Sequence, residues 1–150
     1  MILSLDCGTY TGWCIYDGKV YESGVQDFSK RRGESNGAMF LRFRSWLSDM
    51  IARIPDLELI VYERAHHRGG AATEICVNLT GRVQEAATQY GIEYAAYHTA
   101  TLKKRAVGSG RAAKQDIMKA SEPHLGRKPI DDNESDAVML AVIAWEDYGQ

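Results

Sequence analysis

The stretch MILSLDCGTYTGW, residues 1–13, restricts the fold more than any other part of the chain. Met1 to Leu5 are nearly all apolar and β-favouring, which predicts a strand buried on both faces, as at the centre of a sheet covered by helices. The strand ends on Asp6, and Gly8 breaks it two residues later. Thr9 to Tyr16 then read as a second strand with Gly12 in its path. A carboxylate at the tip of a central strand, beside a tight glycine turn, is placed to hold a metal or a phosphate. A local Asx turn would use the same residue with no ligand at all.

Downstream, the order of elements is legible. The Asp17-Gly18 pair predicts a hairpin turn and a third strand from Lys19 to Asp27, completing an antiparallel meander. FSKRRGESNG is a polar loop with a basic cluster, Lys30, Arg31 and Arg32. Ala38 to Ile54 has helical spacing, with Phe40, Phe43, Leu47, Met50 and Ile51 on one face. Pro55 closes it. Leu57 to Tyr62 predicts a fourth strand ending on Glu63. Thr73 to Tyr90 predicts a helix stopped by Gly91, and Ile92 to Tyr97 a fifth strand. A basic turn-helix region follows, then a last helix from Asp132 to Tyr148. Three meander strands, two helix-strand units and a closing helix predict an α/β domain with a five-stranded mixed sheet flanked by helices.

The bulk properties set bounds. At 150 residues the chain reads as one domain, residues 1–150, with a core large enough to need no staples. Its net charge of −2 does not announce a nucleic-acid partner, so any such partner must be read from local charge. Three cysteines form no CxxC pair and read as buried, reduced thiols. The longest apolar run, Ala137 to Trp145, is too short to span a bilayer, and no basic segment precedes an apolar leader. A soluble cytoplasmic protein is the expectation.

Two further acids sit where Asp6 would need partners. Glu63 ends the fourth strand as Asp6 ends the first, on the side of Leu57, Leu59 and Val61. In the last helix Asn133, Ala137, Leu140, Ala141 and Ala144 form the stripe that must face the sheet, and Asp136 borders it. Asp131, Asp132 and Glu134 are explained as N-cap, dipole and capping-box residues; Asp136 lies too far into the helix for that. A carboxylate at the edge of a buried face beside two others is costly unless a cation neutralises the group. Hard oxygen donors without a His or Cys cluster point to Mg²⁺ or Mn²⁺. Separately, residues 101–128 hold eight basic side chains, among them Lys103, Lys104, Arg105, Arg111 and Lys114, against Asp116 and Glu122. That surplus of six positive charges on an otherwise acidic chain suits contact with phosphates.

Taken together, LDCGTYTGW, IVYER, KKRAVGSGRAAK and DDNESDAVMLA resemble the RuvC-type Holliday-junction resolvases, of the small kind found in bacteriophages. The resemblance spans nearly the whole chain in the right order. It implies a ribonuclease H-like fold and a homodimer that cuts four-way junctions in the cytoplasm of a host cell. It also implies two divalent cations per site, with Asp6, Glu63 and Asp136 as ligands. Lys103 and Lys114 match two lysines placed near the scissile phosphate. The loop after Glu63, with His66, His67 and Arg68, is where the family inserts residues at the junction centre, although the usual aromatic is missing here. A further departure lies three residues before Asp136, where the family has an acid or His and this chain has Asn133. Asp132, one residue earlier, lies on nearly the same face and carries charge, so it is the preferred fourth ligand. The second helix, with Cys76 and Val77 off its apolar stripe, is the expected dimer face. Flaps, branched replication intermediates or RNA–DNA hybrids are alternative substrates for the same activity, and two other readings remain open. One is a junction- or RNA-binding module of the same fold without activity. The other is an actin-like ATP-binding domain, suggested by Asp6-Cys7-Gly8-Thr9 but lacking a second phosphate loop.

Overall fold

The structure, a computed structural model, describes residues 1–19, 21–65 and 69–149. The five strands are β1 (Ile2–Asp6), β2 (Tyr10–Tyr16), β3 (Tyr21–Asp27), β4 (Leu59–Glu63) and β5 (Glu93–Tyr97). Between and after them come helices α1 (Asn36–Arg53), α2 (Ala71–Gln89), α3 (Thr99–Val107), α4 (Lys114–Leu125) and α5 (Asp132–Tyr148). The strands form one sheet in the order β3-β2-β1-β4-β5. β1, β2 and β3 pair antiparallel, whereas β4 runs parallel to both β1 and β5. This is the mixed sheet predicted from the sequence.

Alternation along β1 and β4 sorts the core into two layers. Leu3, Leu5, Ile60 and Tyr62 pack with Phe43, Leu47, Leu79 and Val83 of α1 and α2. On the other face, Ile2, Leu59 and Val61 meet Leu102 of α3, Ile117 of α4 and Met139, Leu140 and Ile143 of α5. The same alternation turns Asp6 and Glu63 toward α5. That helix is buried around most of its circumference, well beyond the expected stripe, because the sheet covers one side of it and α3 and α4 the other. Small side chains at Ala137, Ala141 and Ala144 let it lie close to the strands. Ser4 of β1 pins it there, its Oγ donating to the Ala137 carbonyl at 2.5 Å.

Several local expectations shift. β3 starts at Tyr21 rather than Lys19, because the Lys19 N–H donates to Asp17 Oδ1 within the turn. β4 starts at Leu59 rather than Leu57 and ends, as expected, on Glu63, whose Cα is paired with that of Tyr97. The basic turn-helix region is two helices, separated where Gly108 caps α3 in a left-handed conformation, φ +84°. Among the described residues, no helix is long and apolar enough to cross a membrane.

Glu134 departs most from its expected role. Asp131 caps α5, its Oδ1 accepting from the Glu134 N–H at 2.9 Å. The Glu134 side chain forms no capping box; it is fully buried. It accepts from Arg127 Nη1 at 2.9 Å and Nη2 at 2.7 Å, from Ile130 N at 2.7 Å and from Ser23 Oγ at 2.9 Å. Burial pushes this carboxyl up, but the Arg127 guanidinium, the Ile130 N–H and the Ser23 hydroxyl outweigh it and hold the pKa below the ordinary value. Removing Arg127 would strand a buried charge. Arg127→Ala is expected to destabilise the fold by about 3 kcal/mol at pH 7 in urea unfolding. A carboxyl with a depressed folded-state pKa stabilises above its unfolded value and loses that contribution as pH falls through the folded one. The gap between wild type and Arg127→Ala should therefore be full at pH 7 and shrink below pH ~4.

Candidate metal centre

β1 and β4 are adjacent and parallel, so their last residues, Asp6 and Glu63, reach the same edge of the sheet. The first turns of α5 cross this edge and bring in Asp136. One carboxylate oxygen from each of the three lies within 4.8 Å of the others, and each residue is partly buried. Burial, then the charges of Glu63 and Asp136, push the Asp6 carboxyl well above its usual range. Asp136 is pushed up to about 7, by burial first and then by the charges of Glu63 and Asp132. Carboxylates this close repel one another unless a proton or a cation lies among them. Where a proton bridges carboxylates this closely, a cation can replace it. Three hard, convergent oxygens fit a divalent ion such as Mg²⁺ or Mn²⁺.

The surroundings of the triad differ in how far they follow the sequence. Lys103 stands near enough for its ammonium to draw the Asp136 carboxyl down. Lys114, at the start of α4, pairs with Asp132, Nζ to Oδ2 3.3 Å, at the first residue of α5. Asp132 lies outside the convergent triplet but close enough to raise Asp136. The Asn133 amide points to the helix cap instead, its Nδ2 donating to Asp131 Oδ2 at 3.0 Å. Lys104 and Arg111 are exposed. Arg105, read from sequence with the phosphate-facing cations, has its guanidinium against Asp147 at 2.7 Å and Glu146 at 2.9 Å on α5. His66, His67 and Arg68 lie outside the described residues.

Thr99 carries no signal in the sequence. This residue opens α3, and its Oγ1 donates to Glu63 Oε1, orienting the carboxylate from the neighbouring β5–α3 junction. Nothing local marks it; only the pairing of β4 with β5 brings the two together. Cys7 is buried on the opposite, α1/α2 face of the sheet, and the Cys76 Sγ donates to its carbonyl at 3.3 Å.

No protein-family model matches the chain, and no curated protein matches it by sequence. Solved structures do. RuvC from Thermus thermophilus superposes with a TM-score of 0.77 at 20% identity, covering 99% of this chain and 96% of that one. T. thermophilus RuvC in complex with Holliday junction substrate gives 0.77 at 19% identity, covering 94% and 90%. The yeast mitochondrial Holliday junction resolvase Ydc2 gives 0.60 at 11% identity, covering 93% and 76%. From the strand order to the closing helix, this chain has the fold of the RuvC resolvases.

Proposed function

We propose that this protein is a metal-dependent endonuclease that resolves four-way DNA junctions and related branched DNA. The observation that carries the reading is the convergence of Asp6, Glu63 and Asp136 within 4.8 Å at the sheet edge, on a fold shared with two Holliday-junction resolvases. Asp6, Glu63 and Asp136 would hold two divalent cations, with Asp132 in preference to Asn133 as the fourth donor. Asp132 brings a negative charge near Asp136 that a neutral amide does not, which favours that choice. Such ions supply an activated water and Lewis-acid stabilisation of the leaving oxygen for in-line attack on a phosphodiester. The chain's own part is to hold the donors rigid. Ser4 ties α5 to β1, and Thr99 orients Glu63. Lys103 meets the negative charge of the phosphate beside Asp136, and Lys114, hinged on Asp132, does so from α4. Lys104 and Arg111 extend the contact along the backbone. A four-way junction has two-fold symmetry and needs two cuts, so a homodimer is the economical assembly. α2, with Val77 44% exposed, is the face proposed for it.

The test is incubation with a labelled four-way junction, a flap and a linear duplex, with Mg²⁺, Mn²⁺ or EDTA. Metal-dependent cutting of the branched substrates, with paired nicks in the junction and an intact linear duplex, is expected. Lys103→Ala and Lys114→Ala should each lower cleavage, the former by roughly 10²-fold, with stability within about 0.5 kcal/mol of wild type. Junction binding with no cleavage under any metal would make the protein a binding module instead.

A further inference from the structure

The basic cluster of the β3–α1 loop has no role in the reading above. Its position gives it one. β2 begins at Tyr10 and β3 ends at Asp27, paired with each other, so the loop at residues 28–35 leaves the sheet from the edge that carries Asp6. The Phe28 N–H donates to the Thr9 carbonyl at 2.7 Å, which fixes the start of the loop to the turn just after Asp6. With strands about 4.8 Å apart, β3 stands ~10 Å to one side of β1. On the other side, α3 follows β5, Thr99 at its start binds Glu63 of β4, and Lys103 one turn on stands near Asp136. The triad is therefore flanked by two basic surfaces.

The loop is built to present its cations. Arg42 of α1 lies beneath it, its Nη2 donating to the carbonyls of Phe28 at 3.3 Å and Ser29 at 3.2 Å and to Glu34 Oε1 at 3.2 Å. Both acids of the loop region are turned onto its own framework. Asp27 accepts from the Ser29 N–H at 2.7 Å, and Glu34 accepts from Arg42 and the Arg31 backbone N–H. Lys30, Arg31 and Arg32 are left exposed, and no salt bridge is formed by their side chains among the described residues. Tyr10, at the start of β2 and opposite Asp27, is 51% exposed and carries no charge that would repel a backbone. Three cations on a braced loop form a ready counter-surface for phosphates, because the backbone that carries them is already ordered before binding.

We propose that Lys30, Arg31 and Arg32 form a second DNA-backbone contact, gripping a different arm of a branched substrate from the one held by Lys103 and Lys104 of α3. This rests on the reading of the triad as a branched-DNA nuclease. The experiment is fluorescence anisotropy of the full chain in EDTA, with a labelled four-way junction and a linear duplex, between 50 and 200 mM KCl. Wild type is compared with the triple variant Lys30→Ala, Arg31→Ala, Arg32→Ala, and with Lys19→Ala, which removes a cation at the opposite end of the sheet. The triple variant should bind the junction roughly tenfold more weakly and lose about 2–3 from the slope of log K against log salt. The linear duplex should be affected less. Melting temperature should be unchanged, and Lys19→Ala should match wild type. Cleavage of the junction at saturating protein with Mg²⁺ should also be retained. A triple variant with wild-type affinity and slope overturns the proposal, as does an equal loss on junction and duplex. Wild type that neither binds nor cuts branched DNA would instead overturn the nuclease reading itself.

Discussion

Asp6→Asn should abolish cleavage, by about 10³-fold or more, and at the same time make the metal-free protein more stable at pH 8. The two effects have one cause. In the folded chain three carboxyls crowd within 4.8 Å at a partly buried edge. The carboxyls of Asp6 and Asp136 are raised, the second to about 7, so the fold binds their protons more tightly than the unfolded chain does. A group raised in this way favours the fold below its unfolded pKa, near 4. That contribution is lost as pH rises through the folded value, here about 7 for Asp136. At pH 8 the metal-free site is thus a cluster of repelling charges. Asn removes one of them and can donate to its neighbours, for a gain on the order of 1 kcal/mol or more. The check is thermal unfolding in EDTA at pH 5 and pH 8, then with Mg²⁺. Wild type should gain melting temperature on adding the ion, since ligand binding stabilises the native state. The variant should gain much less. A variant that cuts like wild type, or is less stable than it in EDTA at pH 8, would sink the assignment.

Gly12→Ala should be the most damaging single methyl that can be added to this chain near the site. Gly12 stands opposite Asp6 in the β1–β2 register. A Cβ there would lie 1.9 Å from the Asn133 carbonyl oxygen and 2.3 Å from its carbon. Both partners are backbone, and neither is free to yield. β2 is held between β1 and β3, while the first turn of α5 is held by the Asp131 cap and the Ser4 bond to Ala137. The helix must therefore shift as a unit, carrying Asp136 with it. Overpacking of this kind typically costs 1–3 kcal/mol and here should reach about 3 or more. A displacement of ~1 Å at a catalytic group can lower the rate by about 10²-fold. Gly24→Ala is the control. Its added Cβ meets the Trp13 ring at 3.0 Å, a side chain that can move, so it should be far milder. Urea unfolding of both variants, with cleavage measured where each is folded, decides the matter. Equal stabilities would mean that α5 is not seated on β2 as described.

What the sequence alone determined is what short-range physics controls. The apolar runs placed Asp6 and Glu63 at strand ends, and alternation put Glu63 on the side of Leu57, Leu59 and Val61; only the β1–β4 pairing turned both acids toward α5. The last helix was legible to its end residues, because an Asp131 cap and an apolar repeat are both local signals. From those elements the three acids could be named, though their meeting could only be expected. Tertiary structure decided the partnerships. Arg127 and Glu134 look like a basic-segment residue and a helix-start acid until the fold buries one beneath the other. Arg105 looks free for phosphate until α5 brings Glu146 and Asp147 beside it. Thr99 acquires a role through strand pairing alone, and Lys30, Arg31 and Arg32 through the edge at which β3 ends. In each case the partner is distant in sequence or on another element. Period and capping chemistry carry information over about one helical turn, whereas Ser4 and Ala137, 133 positions apart, meet only because the sheet and α5 share a core.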